Sequence, residues 1–405
     1  MTDTDIAPSP FGTLLAEAAE LQGDAVRLRR DLHVRPEIGL QLPHTQDRIL
    51  AALHGLPLHV RMGEQVSSVV AVLEGARPGP TMLLRGDMDA LPMPEDTGLP
   101  FASEVDGAMH ACGHDTHVAM LAGAARLLCD RRQELAGRVL FMFQPGEEGY
   151  HGARFMIEEG LLDDVGEVSG AFAIHISTMA AAGVVSLRGG TQMASSDTMR
   201  IRVTGRGGHA SAPHHALDPI PIACEIVQAL QTMVTRRIDV FDPAVVTVAQ
   251  ITAGTTSNVI PEHADILGTI RAVSERTRTK VHDAVRRVAE GVAAAHDASA
   301  SVEVELGYPV TINDHGYAGQ VLETATQLIG EKRVRAMPSP VMGAEDFSYV
   351  LQRVPGAMAF LGGCPPELDP RTAAPNHSNR VVFDESAMPT GIALFAAMAL
   401  RHLGG

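Results

Sequence analysis

The stretch GRVLFMFQP, residues 137–145, decides the fold. It is a short apolar run held between a glycine and a proline, and it reads as a strand. Two similar runs precede it, SSVVAVLEG (67–75) and TMLLRGDMD (81–89), and a long helix, 115–135, leads into it. A helix ARFMIEEGLL (153–162) and a strand GAFAIHIS (170–177) follow. Apolar strands alternating with helices build an α/β domain with a mixed, largely parallel sheet. A helix over 11–34 stops before Pro36, and LFAAMALRHL (394–403) supplies the last one.

After Leu187 the texture changes. DTMRIRVTGRGG is an alternating strand, DPIPIACEIVQALQTMVTRR a helix, AVVTVAQITAG and ADILGTIRAV two strands, SERTRTKVHDAVRRVAEGVAAAH a helix, and ASVEVELGY a strand. The order βαββαβ is the ferredoxin-like arrangement. The expected division is therefore a catalytic α/β domain over 1–189 and 310–405, with an inserted domain over 190–309.

The chain has 405 residues, enough for two domains. Hydrophobic residues make up 45% and charged residues 20%, a globular profile. Trp is absent, so Leu, Val, Ala and Met must fill the core. Thirty-two basic against 48 acidic residues give a formal charge of −16, which argues against nucleic acid or an anionic membrane as partner. No apolar run approaches the ~20 residues of a membrane span. The four cysteines, Cys112, Cys129, Cys224 and Cys364, form no CxxC pair, so reduced thiols and a cytoplasmic location are expected. MTDTDIAPSP, at the start, reads as a frayed tail without signal-peptide features.

Chemistry-bearing residues gather where the strands end. Glu147 and Glu148 follow the opening strand, Asp87 and Asp89 follow TMLLRG, and His175 ends AFAIHIS. Between them lies HACGHDTH (110–117), at the start of a helix. In an open parallel sheet the carboxyl ends of the strands line one crevice, so these motifs converge. Thiolate and imidazole suit zinc, and a carboxylate completes or bridges such a site. The helix N-terminus is expected to favour the thiolate at Cys112. Of two adjacent glutamates, one can ligate while the other takes a proton from an attacking water. Taken singly, each feature has a plainer reading: a helix cap, a solvated turn, a packed histidine. GRGGHASAPHH (205–215) lacks the Lys-Ser/Thr of a phosphate loop but presents His209 beside two glycines. NHSNR (376–380) is by itself a polar loop.

RRDLHVRPE, RGDMDALP, HACGHD, FQPGEEG, GRGGHASAPH, TSNVIPE and MGAEDF stand in one order along the chain. In this the sequence resembles the amidohydrolase branch of the aminoacylase/carboxypeptidase G metallopeptidase family, which includes hippurate hydrolases, N-acyl-amino-acid amidohydrolases and auxin-conjugate hydrolases. The resemblance runs from about Arg29 to Gly391. It implies a two-metal catalytic domain carrying an inserted lid that often forms the dimer interface. It further implies that Cys112, His114, Glu148, His175 and His377 hold two divalent ions, and that Glu147 is the general base. By the same resemblance His209 reaches a neighbouring subunit's site and stabilises the oxyanion, while Asn258 and Arg271 contact substrate. Asp87 stands where other branches have a metal-binding histidine, so Asp87, Asp89 and Asp115 are expected to orient ligands, with His110 and His117 either structural or themselves orienting ligands. Zinc is the first expectation, with manganese, cobalt or nickel as alternatives, and the assembly a homodimer or homotetramer through the lid.

The chain departs from the family pattern at Leu42, where a glutamate is usual, in HISTMAAAG after His175, at Ala344, and in APNHSNRVVFDE around His377. These departures leave the candidate ligands and base in place and bear on the substrate. The expected activity is hydrolysis of the amide of an N-acyl amino acid or similar conjugate. A dipeptidase or carboxypeptidase of the same family is the alternative. A cysteine-nucleophile hydrolase built on Cys112 and His114 would leave the glutamate pair unexplained, and a non-catalytic metal protein would have no use for Glu147.

Overall fold

A computed structural model describes residues 11–163 and 165–404. The N-terminal MTDTDIAPSP lies outside the described residues. The chain forms two compact units. One comprises the residues up to Gln192, Ile312–Ser339 and Tyr349 onward; the other comprises Met193–Thr311 and Pro340–Ser348. The last of these segments, read from the sequence as part of the catalytic domain, groups with the insert.

In chain order the strands are β1 (His59–Met62), β2 (Val69–Glu74), β3 (Arg77–Asp87), β4 (Ala136–Gln144), β5 (Val168–Ala181), β6 (Val185–Leu187), β7 (Gly190–Met193), β8 (Asp197–Thr204), β9 (Gly208–His209), β10 (Ala244–Ala253), β11 (Val259–Ile260), β12 (His263–Ala272), β13 (Ser299–Leu306), β14 (Thr311–Asn313), β15 (Val334–Ala336) and β16 (Gly356–Cys364). The first unit holds an eight-stranded sheet ordered β1-β2-β4-β3-β5-β16-β6-β15. β3 runs parallel to β4 and β5, β5 to β16, and β15 to β6, while the pairs β1–β2, β2–β4 and β6–β16 are antiparallel. The sheet is mixed and largely parallel, as expected. Its central strands are buried where they cross the middle of the sheet: Val139 to Phe143 of β4 and Met82 to Leu84 of β3 are all inaccessible.

The helices of this unit include α1 (Leu14–Glu20), α2 (Gln22–Val34), α3 (Pro43–Leu53), α4 (His114–Asp130) and α5 (Gly152–Glu158). The single helix expected over 11–34 is two. The Leu21 amide bonds back only three residues, to Ala18, and this tighter turn separates them. The helix expected over 115–135 ends at Asp130, and a 3-10 turn, Arg132–Glu134, redirects the chain into β4. The helix read as 153–162 ends at Glu158, where a turn closes with the Gly160 amide on the Ile157 carbonyl. α4 and the last helix, Met388–Leu403, are buried on nearly every face, so both are core elements and not surface amphipathic helices. Gly86 lets β3 approach α4: a Cβ there would lie 3.0 Å from the His117 carbonyl. That contact brings the end of β3 against the start of α4.

The second unit holds a four-stranded antiparallel sheet ordered β10-β12-β8-β13. With helices α6 (Pro219–Arg237) and α7 (Glu275–Ala295) it forms the expected βαββαβ unit. Met199, Ile201 and Val203 of β8 face a core shared with Ile222, Ile226, Leu230, Val281 and Val285, while Arg200 and Arg202 face outward. Alternation in the strand and period in the helices agree, which is what specifies the register. Asp218 and Ser274 cap the two helices by accepting from Ile220 and Thr277 amides. A small ribbon, β9 with β11, carries His209.

Candidate active site and metal centre

Element ends place Cys112, His114 and the glutamate pair, a strand interior places His175, and a loop places His377. Cys112 lies two residues before α4 and His114 is its first residue, with Gly113 between them at φ 87°. A Cβ on Gly113 would come 2.4 Å from Ile176 Cγ2, so only glycine lets the two ligands flank this turn. Glu147 and Glu148 follow β4 by way of Pro145–Gly146. His175 lies inside β5, which continues to Ala181 because β16 pairs with it through Ser177 and Ala181; the strand does not end at the histidine. His377 comes from the loop before the last helix, in a left-handed conformation (φ 68°), its amide donating to the Ala111 carbonyl at 2.9 Å.

These residues meet. Cys112 Sγ lies 3.3 Å from His175 Nε2 and 3.3 Å from His377 Nε2, and His377 Nε2 lies 3.2 Å from Glu148 Oε1. His114 Nε2 is 4.0 Å from Glu147 Oε2 and 3.9 Å from Glu148 Oε1. Two triads therefore form, Cys112–His114–His175 and Cys112–Glu148–His377, with Cys112 common to both and ligand atoms within 4.8 Å of one another in each. Both ring nitrogens of His114 are buried without a hydrogen-bond partner among the described residues. Buried polar atoms without partners are costly. A partnerless buried imidazole grouped with a thiol, a carboxylate and two further imidazoles fits divalent cations.

The surrounding groups orient this set. Asp89 Oδ1 accepts from the Glu147 amide and Oδ2 from the Glu148 amide, both at 2.9 Å, and Oδ1 lies 3.5 Å from His114 Nδ1. One carboxylate thus fixes the glutamate turn and faces the far side of the His114 ring, leaving Nε2 toward the triads. His175 Nδ1 donates to the Ile176 carbonyl at 2.8 Å, so its Nε2 lone pair faces Cys112. A third cluster, Asp87–His114–His117, is less suited to a metal. His117 Nε2 accepts from the Ile176 amide at 2.7 Å, and Nδ1 donates to Asp87 Oδ1 at 2.5 Å, so both ring nitrogens are engaged. Asp87 also accepts from Arg85 Nη1 at 2.7 Å, and Arg85 in turn holds Gln144. Asp115 is aimed elsewhere: Oδ2 accepts from Arg29 Nε and His33 Nδ1, both at 2.8 Å, and Arg29 continues to Glu385 at 2.9 Å. It ties the first turn of α4 to α2 rather than orienting a ligand.

Electrostatics follow from this crowding. Burial pushes the Cys112 thiol up, and the Glu148 carboxylate adds to that rise. The helix N-terminus favours a thiolate at Cys112, and burial acts against it. A cation is what would hold the thiolate. Burial opposes a charge on His114, yet Asp87 and Cys112 hold its pKa well above the ordinary value. His175 is driven well below it by burial and by the charge of His117. His377 is raised to about 10 by its hydrogen bonds to Cys112 and Glu148. Burial pushes His110 down to about 3, and neither of its ring nitrogens has a hydrogen-bond partner among the described residues. Burial would raise Asp115, but Arg29 and His33 hold it far below the usual carboxylate range.

The site also uses residues not picked out from the sequence. Asn376 Nδ2 donates to the carbonyls of Cys112 (3.1 Å) and Ile176 (3.0 Å), pinning the His377 loop to both ligand-bearing elements. Its signal was NHSNR. Arg29 and His33 were present in RRDLHVRPE. At Leu42 the chain has a buried leucine, and Glu37 accepts the His44 and Thr45 amides at the start of α3.

In the second unit, His209 on β9 and Asn258 beside β11 are neighbours, the Ala210 amide donating to the Asn258 carbonyl at 3.0 Å. Arg271 stands on β12 and donates to the Met342 carbonyl at 3.3 Å. Ala344 belongs to Pro340–Ser348 of the same unit.

The sequence profile of Peptidase family M20/M25/M40 matches residues 83–401. The chain belongs to this family. It is a metal-dependent hydrolase of amide bonds. It is 37% identical over 395 residues to thermostable carboxypeptidase 1 of Saccharolobus solfataricus, covering 95% of this chain and 97% of that one. It is 38% identical over 376 residues to N-acetylcysteine deacetylase of Bacillus subtilis, covering 93% and 96%. The solved structure of Bacillus subtilis YXEP protein, titled a dinuclear metal binding peptidase of the M20 family, superposes with a TM-score of 0.83 at 34% identity, covering 95% and 98%. No helix among the described residues is long and apolar enough to cross a membrane.

Proposed function

We propose that this M20 enzyme hydrolyses the amide bond of N-acyl amino acids or related small conjugates, releasing a carboxylic acid and an amino acid. The observation that carries the reading is the pair of triads sharing Cys112, with the first glutamate of the pair, Glu147, beside them at 4.0 Å from His114. Two divalent ions held by Cys112, His114, His175, Glu148 and His377, zinc first and manganese, cobalt or nickel otherwise, would polarise the scissile carbonyl and acidify the attacking water. Glu147 takes the proton of that water and passes it to the leaving amine. Asp89 keeps Glu147 and Glu148 apart in role by gripping both amides. Asp87 and His117 hold the base of the site together.

The insert acts as lid and assembly domain of a cytoplasmic homodimer or homotetramer. His209, supplied by a neighbouring subunit, donates to the developing oxyanion. Asn258 beside it contacts the substrate, and Arg271 receives the substrate carboxylate through its planar fork. Neither nucleic acid nor membrane is a partner.

A second reading, a carboxypeptidase or dipeptidase, is favoured by the identity to the Saccharolobus enzyme. Metal-reconstituted protein assayed on N-acetyl, N-benzoyl and indole-acetyl amino acids, alongside dipeptides, separates the two. The proposal expects turnover of acylated amino acids that stops with chelator. Turnover of dipeptides alone would replace it with the second reading. Mixing His209→Ala with Glu147→Gln subunits, with exchange confirmed, tests the shared site: restored activity supports it, and none overturns it.

A further inference from the structure

We infer that Ser211 is a positioning residue for His209, holding its imidazole in the tautomer with the proton on Nε2. The inference rests on the reading of His209 as oxyanion donor and says which of its atoms donates. His209 closes β9 opposite Val259 of β11. The chain then turns at once. The Ala210 amide donates to the Asn258 carbonyl at 3.0 Å, and the Ala212 amide to the His209 carbonyl at 2.9 Å. Those two bonds bring Ser211 back against the His209 side chain. The Ser211 backbone amide donates to Nδ1 at 3.1 Å, and the Ser211 hydroxyl lies 2.8 Å from the same atom.

A backbone amide is always a donor. The nitrogen that accepts from it must present a lone pair. A neutral imidazole has one N–H, so with Nδ1 accepting, the proton sits on Nε2. The serine hydroxyl can rotate to donate to the same lone pair and so strengthens the choice. The same chain shows the opposite choice at His117, where Asp87 accepts from Nδ1–H and the Ile176 amide donates to Nε2. At His209 no such carboxylate intervenes among the described residues. The distinction matters for the chemistry. An Nε2–H can donate to a negative oxygen, whereas an Nε2 lone pair would repel it.

The test uses the full-length, metal-loaded enzyme labelled with nitrogen-15. The His209 ring signals are assigned by their loss in His209→Gln. The expected spectrum at neutral pH has Nδ1 in the range of an unprotonated ring nitrogen and Nε2 in that of a protonated one. Ser211→Ala removes the hydroxyl but keeps the amide, so Nε2–H should stay the major tautomer while an Nδ1–H fraction, absent in the parent, becomes visible. Its kcat should fall roughly 2- to 10-fold, the range one neutral hydrogen bond is worth, with KM and metal content unchanged. Ser211→Thr, which keeps a hydroxyl, should restore both spectrum and kcat. A protonated Nδ1 in the parent overturns the inference. So does a Ser211→Ala enzyme whose spectrum and kcat both match the parent. A locked Nε2–H tautomer combined with undiminished kcat in His209→Gln overturns the oxyanion reading alone and leaves the tautomer assignment standing.

Discussion

Replacing Asp115 with asparagine would separate two roles that its place beside His114 suggests, anchoring α4 or orienting a metal ligand. The carboxylate is fully buried and accepts from Arg29 Nε and His33 Nδ1 at 2.8 Å. Removing one member of a buried ion pair costs about 3–5 kcal/mol, because its partner is left charged and dry. Here Arg29 keeps Glu385 at 2.9 Å and His33 keeps Glu95 at 3.2 Å, so the cost should fall near the lower end, about 3 kcal/mol. Its size should depend on pH. His33 is raised to about 9 because Asp115 overcomes the penalty of burial. A raised folded-state value contributes stability that is full below the unfolded value of about 6.5 and is lost as pH climbs through 9. The gap between parent and Asp115→Asn should therefore narrow between pH 6 and 10. Urea unfolding followed by circular dichroism across that range measures the gap, and metal analysis of the same samples gives occupancy. A loss under ~1 kcal/mol at pH 6, or metal loss without loss of stability, would refute the anchoring role.

Glu147→Gln should lower kcat by roughly 10²–10⁴-fold while metal stays bound, since the amide keeps the shape but cannot take the proton; unaltered kcat in steady-state assays would remove Glu147 from the mechanism. Cys112→Ala should reduce metal content at both positions together, because the thiol belongs to both triads; metal analysis showing two ions retained would end its assignment. Gly113→Ala should destabilise by roughly 1–3 kcal/mol through the strained φ and the contact with Ile176, read as a lower denaturation midpoint.

Much of this was legible in the chain because the signals were local. The apolar run 139–143 and its neighbours announced the central strands, and the βαββαβ order of the insert followed from period alone. Cys112, His114, Glu148 and His175 were marked by standing near strand and helix ends. What escaped depends on partners distant in sequence. The extension of β5 past His175 exists because β16 pairs with it. Asp115 belongs to Arg29 and His33, both more than eighty residues earlier, and nothing in HACGHD says so. Asn376 matters through two backbone carbonyls, which carry no side-chain signature. The burial that acts against a thiolate at Cys112 is likewise invisible in the sequence, whereas the helix end is not.

The place of β16 in the sheet has a consequence for how the protein is made. β5 and β6 follow one another closely in the chain, yet β16 lies between them. On the ribosome, β5 must emerge, wait through synthesis of the entire insert, and receive its neighbour only once β16 has followed. During that interval a row of unpaired amides and carbonyls along an apolar strand stays open, the kind of edge that recruits stray strands. The buried last helix arrives later still. The nascent catalytic half is thus an unfinished substrate for chaperones, and a chain stalled or cut short before β16 would be prone to aggregate rather than be merely inactive.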